Sequence, residues 1–303
     1  MVSFHVEPTS KCTLECPLCS RTWFYETFKK RLLHEINVDH LVDFVGPGAS
    51  IGMCGNNGDP IYHSKFLELC RRLKNNKCKL FITTNGSAKT TKWWIELSEI
   101  LDQNDTLIFS IDGLEDTNHL YRKNAKWKSI MDAVKCMNKG SCTLVWKFIV
   151  FKHNQHQIKD AESFSKKLGF DHFRLEHSDR WLNSKDLMPD EKFVDTSYKQ
   201  SQEILDNPNF TTSISAKCMV NGKPQKNLYI DAEGDFYPCC WMGSYHYKYK
   251  SIFSPKKKKI FNIKDNTLED ILEWNEVKEF FESTKQFTSA HECCKIKCGV
   301  KNG

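Results

Sequence analysis

The chain has 303 residues, enough to bury a large core as one big domain or as one big and one small, and its 44 Lys and Arg against 38 Asp and Glu give a net charge of +6. Its 14 cysteines exceed the usual share yet are too sparse for a small disulfide-stapled scaffold. The opening MVSFHVEPTS lacks the charged and apolar regions of a secretory signal, and no run approaches the roughly eighteen apolar residues of a membrane helix, so the expectation is a soluble protein of the reducing cytoplasm with no membrane partner.

In chain order, short β-branched or aromatic runs at residues 3–6, 50–53, 79–83, 106–111, 143–151 and 172–175 read as strands. Longer amphipathic stretches between them, at 24–45, 64–74, 89–101, 127–138 and 155–168, read as helices. Strands with a helix in every gap predict a parallel sheet with helices outside it, either open or curled toward a barrel. Chemistry in such folds gathers at the carboxyl ends of the strands. The informative loops fall there: a cysteine run follows the first strand, GNNGDP the second, TTNGS closes the third and SIDG the fourth.

The cysteine run is CTLECPLC, with Cys12, Cys16 and Cys19. Iron-sulfur clusters are normally held by four protein thiolates, so a compact run of three points to a cluster whose remaining iron binds something else. Zinc, which favours paired cysteines in a closed tetrahedron, and a disulfide, which needs an oxidising compartment, are the alternatives. Beyond the run, Glu7, Lys147, Glu176 and His177 sit at strand ends as candidate pocket residues, and the stretch 178–188, with Arg180 and Trp181, is read as a linker lining the pocket. Cys54, Cys70, Cys78, Cys136 and Cys142 read as small buried hydrophobes.

After about residue 205 the alternation stops, which divides the chain into 1–205 and 206–303. NLYIDAEGDFYPCC reads as a hairpin around Glu233-Gly234, with Cys218 upstream, Cys239 and Cys240 at its far end, and Cys293, Cys294 and Cys298 closing the chain. The lysine run at 256–259, after Ser254-Pro255, is read as a solvated loop in preference to a nucleic-acid site.

CTLECPLC after its EPTSKC lead-in resembles the cluster-binding loop of the radical S-adenosylmethionine (radical SAM) enzymes, and the later motifs follow that family's order. The resemblance implies a partial (β/α)6 TIM-like barrel of the α/β class. It also implies a [4Fe-4S] cluster on Cys12, Cys16 and Cys19, with S-adenosylmethionine on the open iron. Reduction would cleave SAM to methionine and a 5'-deoxyadenosyl radical that abstracts hydrogen from the substrate. Gly55, Asn56, Asn57, Gly58 and Asp59 resemble the family's GGEP-like SAM contact, with Asp where Glu is usual and the glycines interrupted. Thr84, Asn85 and Gly86 resemble its TNG ending, and Ser110, Asp112 and Gly113 its SxDG segment. Arg122 matches a frequent arginine for the SAM carboxylate, and Leu18 stands where an aromatic often meets adenine.

The C-terminal cysteines, with Gly234 to Cys239 in G-x4-C spacing, resemble the auxiliary-cluster domains called SPASM and twitch. That implies a small α+β cluster-binding domain with one auxiliary [4Fe-4S] cluster on Cys218, Cys239, Cys298 and Cys294, the last preferred to Cys293; zinc is the rival metal there. The implied activity is hydrogen abstraction leading to oxidation or rearrangement of a peptide or polar small molecule, with a flavodoxin or ferredoxin as electron donor. Because the sequence starts almost at its first strand, the expectation is that it lacks the appended peptide-recognition domain of many peptide-modifying members, which weakens the peptide reading. The alternatives are a nucleic-acid-modifying member of the same family and a non-catalytic zinc-binding scaffold.

Overall fold

The computed structural model describes residues 2–178, 184–194, 212–244 and 261–301. Arg180, Trp181 and the lysine run at 256–259 lie outside the described residues. Strands β1 (Ser3–Val6), β2 (Ser50–Met53), β3 (Lys79–Thr84), β4 (Thr106–Ser110), β5 (Thr143–Ile149) and β6 (His172–Glu176) pair in parallel in sequence order. Val6 lies opposite Met53, Met53 opposite Ile82, Thr84 opposite Phe109, Ser110 opposite Lys147, and Ile149 opposite Glu176. The strands therefore end together, and the loops that follow them share one rim.

The sheet has eight strands, two more than the sequence predicts. Strand β10 (Leu228–Ile230) runs parallel to β1, with Phe4 opposite Leu228 and Val6 opposite Ile230, and β11 (Phe236–Tyr237) folds back on it. The added hairpin covers the β1 edge, whose backbone groups would otherwise template unwanted pairing. Its LYI and FY runs are buried throughout.

Helices α3 (Phe66–Asn75), α4 (Thr91–Ile100), α6 (Trp127–Met137) and α7 (Ile158–Lys167) fill successive gaps between strands, with a single turn, α5 (Asn118–Tyr121), between β4 and α6. Leu69, Leu73, Trp94, Leu97, Ile130, Val134 and Met137 pack on Ile51, Leu80, Ile82, Leu107, Phe109 and Trp146 in one continuous core. The predicted helix over 24–45 is instead two helices, α1 (Ser20–Phe28) and α2 (Val38–Val45). The break is local: Lys29 caps α1 in the left-handed region at φ 53°, and Asn37 accepts the His40 N–H to start α2. Between them the chain returns to the cysteine loop through a bridge pairing Thr9 with Glu35.

The C-terminal unit adds α8 (Leu268–Glu273), α9 (Asn275–Ser283) and α10 (Glu292–Cys298). It also carries an antiparallel pair of β7 (Thr212–Ile214) with β12 (Gly299–Lys301) and a small ribbon of β8 (Met219–Val220) with β9 (Lys223–Pro224). Thr267 and Asp270 form a reciprocal capping box at the start of α8. All fourteen cysteines are free thiols. Among the described residues no helix is long and apolar enough to cross a membrane.

Candidate functional site

The rim loops enclose a cavity of about 320 Å³. Cys12, Cys16 and Cys19 line it together with Gly55, Asn56, Asn57, Gly58, Asp59, Thr84, Asn85, Ser110 and Arg122. Lys147, Glu176 and His177 face the same space from the ends of β5 and β6. Leu18 and Asp112 do not line it. Leu18 packs beside Leu14, Tyr121 and Phe151, and Asp112 is completely buried behind the wall.

Three buried carboxylates, Glu7, Asp59 and Asp112, hold the loops after β2, β3 and β4. Glu7, at the end of β1, accepts the N–H groups of Asn57 and Gly58 at 2.8 and 2.9 Å, and the Tyr229 hydroxyl at 2.6 Å. Its role is to anchor the GNNG turn, and it stands outside the cavity lining. Burial pushes its carboxyl above the usual range, against the pull of those donors. Gly58 is required because a Cβ there would collide with the Thr9 carbonyl. Asp59 turns toward β3, accepting Asn85 N–H at 2.7 Å, the Asn85 side-chain amide at 2.5 Å and the Thr84 hydroxyl at 3.1 Å. Asn85 in turn lies 3.7 Å from the Cys12 sulfur.

Asp112 holds Arg122. Its Oδ2 accepts from Arg122 Nε at 2.7 Å, while Oδ1 accepts the Ile149 N–H at 2.8 Å. The aspartate side chain is thus fully engaged, and Arg122 reaches the cavity already oriented. By contrast, Lys147 has no carboxylate partner among the described residues, and Glu176 is paired with Arg174 at 2.8 Å.

Burial pushes the Cys12 thiol up to about 12, helped by the Asp59 charge, and raises Cys16 as well. Thiols in this state are released as thiolates by a metal centre, whose charge outweighs desolvation. Three soft donors on one loop, with polar groups ringing the remaining side, fit an iron-sulfur cluster that binds a small polar cofactor.

A second cavity, also about 320 Å³, lies under the hairpin and collects Cys218, Cys239, Cys240, Cys293, Cys294 and Cys298. A hydrogen bond from the Cys293 thiol, with the N–H groups of Met242 and Trp241, brings the Cys239 thiol down to about 7. Burial drives Cys218 up to about 12, followed by the nearby Cys239 and Cys298 sulfurs. Burial also raises Cys294, whose sulfur senses Cys239, Cys298 and Cys218 in turn. Four sulfurs grouped this way fit a four-thiolate centre.

Cys54, expected from the sequence as a small buried hydrophobe, and Trp241, for which no role was expected, line both cavities. Cys70, Cys78, Cys136 and Cys142 are indeed core residues, but Cys54 is half-buried, with His5 against its carbonyl and its thiol. Cys54 directly follows β2 (Ser50–Met53) and its N–H donates to the Val6 carbonyl at 3.3 Å, so its place at the rim follows from the predicted strand order. Trp241 carried a signal in standing directly after the Cys239-Cys240 pair.

A sequence model of the radical SAM superfamily matches residues 6–162, and one of an iron-sulfur cluster-binding domain, SPASM, matches residues 218–299. The tungsten-containing aldehyde ferredoxin oxidoreductase cofactor-modifying protein of Pyrococcus furiosus is 24% identical over 187 residues, 56% of this chain and 50% of that protein. The chain spans about half the length of the curated relative it matches. Among solved structures, Streptococcus suis SuiB bound to S-adenosylmethionine superposes with a TM-score of 0.59 at 15% identity, covering 97% of this chain and 77% of that one. SuiB bound to the precursor peptide SuiA gives 0.59 at 16% identity, with 91% and 65% covered. At such identities the likeness shows the fold, a partial barrel with a small C-terminal domain.

Proposed function

The chain belongs to the radical SAM superfamily, with S-adenosylmethionine, a [4Fe-4S] cluster and SPASM-type auxiliary iron-sulfur binding as its cofactors; on that footing we propose that it abstracts hydrogen from a peptide or a polar small molecule and so oxidises or rearranges it. We assign the barrel to residues 1–205 and the auxiliary domain to 206–303. The reading is carried by one observation: the three thiols of the first loop, the GNNGD turn and Arg122 share a single cavity with Lys147, Glu176 and His177.

Cys12, Cys16 and Cys19 would hold the cluster, and Cys218, Cys239, Cys294 and Cys298 the auxiliary one. Cluster and SAM together supply, on one-electron reduction, the capacity to remove a hydrogen atom. The protein's part is binding, orientation and exclusion of water. The backbone of Gly55 to Gly58 would hold the methionine end of SAM, and Arg122, fixed by Asp112, would offer its carboxylate the guanidinium edge that Asp112 leaves free. Thr84, Asn85 and Ser110 offer polar contacts from the ends of β3 and β4. Leu14, Tyr121 and Phe151, the last two with ring centroids 4.1 Å apart, close an apolar wall that shields the site. Lys147, Glu176 and His177 are left to meet the substrate. The peptide option is supported by the peptide-bound SuiB structure, and the small-molecule option by the cofactor-modifying relative.

Anaerobic reconstitution followed by iron, sulfide and zinc analysis tests the reading, with dithionite-driven SAM cleavage assayed alongside. Two four-iron clusters require about eight irons per chain, falling to about four in a Cys12→Ala, Cys16→Ala, Cys19→Ala variant. 5'-Deoxyadenosine should form in the wild type alone. Zinc without iron, and no cleavage, would replace the enzyme with a zinc-binding scaffold.

A further inference from the structure

Segment 20–33 is unusual for a folded protein in what it exposes. Helix α1 has no buried residue, and Trp23, Tyr25, Phe28 and Leu33 are 50%, 42%, 57% and 63% exposed, a concentration of large apolar surface found nowhere else among the described residues. Lys29, Lys30 and Arg31 stand exposed between them, and none has a carboxylate partner among the described residues. Arg31 lies over the Tyr25 ring at 5.6 Å, so aromatic and cationic groups form one surface; such a surface is characteristic of a binding face, with aromatic anchors at its centre and charge to steer approach.

Both ends of this segment are rooted in the cysteine loop. Cys19 is the N-cap of α1, and the Arg21 guanidinium donates to the Leu14 carbonyl. At the other end the His34 carbonyl accepts Ser10 N–H at 3.0 Å and the Thr9 hydroxyl at 2.9 Å, and the His34 N–H donates to Ser10 Oγ at 2.9 Å. Nine helical residues rise roughly 13 Å, so the far end of α1 stays within that distance of Cys19. Anything that docks here is delivered to the thiols that bind the SAM cluster.

We propose that this face docks an acidic electron-carrier protein, which passes one electron to the cluster held by Cys12, Cys16 and Cys19. The donor is oxidised by one electron, the cluster is reduced by one, and no bond in the protein changes. The charge selects the partner: Lys29, Lys30 and Arg31 outweigh the single carboxylate of the segment, Glu26, and so favour an acidic surface, and the aromatic side chains give the complex its apolar centre. The inference rests on the radical SAM reading, because that chemistry requires an electron from outside.

The test uses the reconstituted holoenzyme and follows cluster reduction by visible bleaching and by electron paramagnetic resonance. The probes are a photoreduced flavodoxin and a reduced ferredoxin, both acidic, with dithionite as a reductant that needs no docking. A Lys29→Glu, Lys30→Glu, Arg31→Glu variant and a Trp23→Ala, Phe28→Ala variant should be reduced by at least one protein donor about tenfold more slowly than wild type at low salt. Their reduction by dithionite should be unchanged. Rising salt should slow the wild type toward the rate of the charge-reversed variant. Equal rates for wild type and both variants with either protein donor would overturn the proposal, as would no protein-driven reduction of the wild type at all. An equal fall with dithionite, marking general damage, would do the same. A wild-type dimer dissolved by Trp23→Ala, Phe28→Ala would assign the face to a second copy of the chain, and a face that binds only substrate peptide would leave donor rates unchanged. If dithionite reduces the cluster yet SAM stays intact, the family chemistry fails while the docking result stands on its own.

Discussion

Asn56 joins the two thiol sets. Its side-chain amide donates to the Cys240 carbonyl at 2.9 Å, while its own carbonyl accepts the Ser20 hydroxyl at 2.6 Å. Ser20 follows Cys19 and Cys240 follows Cys239, so one residue spans from one proposed cluster to the other. Asn56→Ala removes the donor and leaves the half-buried Cys240 carbonyl unpaired, a loss of about 1–3 kcal/mol. Asn56→Asp places an acceptor against an acceptor and should cost more at neutral pH. Urea denaturation of the reconstituted protein measures both, and an Asp variant as stable as wild type would show that the bridge contributes nothing.

Arg122 and Asp112 form a buried pair that explains in advance why simple deletion will mislead. Arg122→Ala leaves Asp112 as an uncompensated buried charge, at a cost of about 3–5 kcal/mol. SAM binding will then fall together with stability. Adding Asp112→Asn keeps an acceptor for the Ile149 N–H, removes the stranded charge and should recover much of the stability. SAM affinity by equilibrium dialysis should stay low in that double variant. Affinity that returns along with stability would confine Arg122 to a structural role.

Glu7 carries a pH signature. Its folded carboxyl lies above the ordinary 4.5, chiefly through burial. A raised carboxyl contributes stability that is fully present below the unfolded value and is lost as pH rises through the folded one. Glu7→Gln keeps an acceptor for the Asn57 and Gly58 N–H groups, lets the Tyr229 hydroxyl turn to accept, and cannot ionise. Its stability relative to wild type should therefore improve as pH is raised from about 5 to 8, read as the shift in denaturation midpoint. A difference independent of pH would mean that the three donors hold Glu7 ionised throughout.

The strands β1 to β6 were legible because buried parallel strands are continuous apolar runs punctuated by turn residues, and each of the six starts at its expected residue. The stretch 24–45 was not, because its apolar positions run on past Lys29, whose left-handed cap ends α1, and the chain pairs Glu35 with Thr9 before Asn37 starts α2. The GNNGDP turn was visible as a turn, but the partners of its carboxylate were not: Asp59 points into β3, and the turn itself hangs on Glu7, some fifty positions earlier. Cys54 follows β2 and was hidden by being read with the core cysteines, whereas Trp241 reaches the site through the hairpin whose strand β10 pairs with β1. The hairpin itself was legible, but its docking on β1, with Phe4 opposite Leu228, joins segments too far apart in the chain for any local pattern to show.

The choice between Cys293 and Cys294 turns on helix geometry. Cys294 and Cys298 are four residues apart on α10 (Glu292–Cys298) and so share one face, whereas Cys293 is rotated by about 100° from Cys294. Cys293 is also the more deeply buried, at 1% against 8% exposure, and its thiol is committed as a hydrogen-bond donor to Cys239. Cys294→Ser should therefore lose the auxiliary cluster, cutting iron from about eight to about four per chain. Cys293→Ser should retain all of it, because a serine hydroxyl can donate to the Cys239 sulfur in the same way. Iron and sulfide analysis of the two reconstituted variants, with the spectrum of each reduced form, decides the matter. Loss of four irons from Cys293→Ser with Cys294→Ser intact would transfer the ligand to Cys293 and require α10 to turn by about a quarter when the cluster binds.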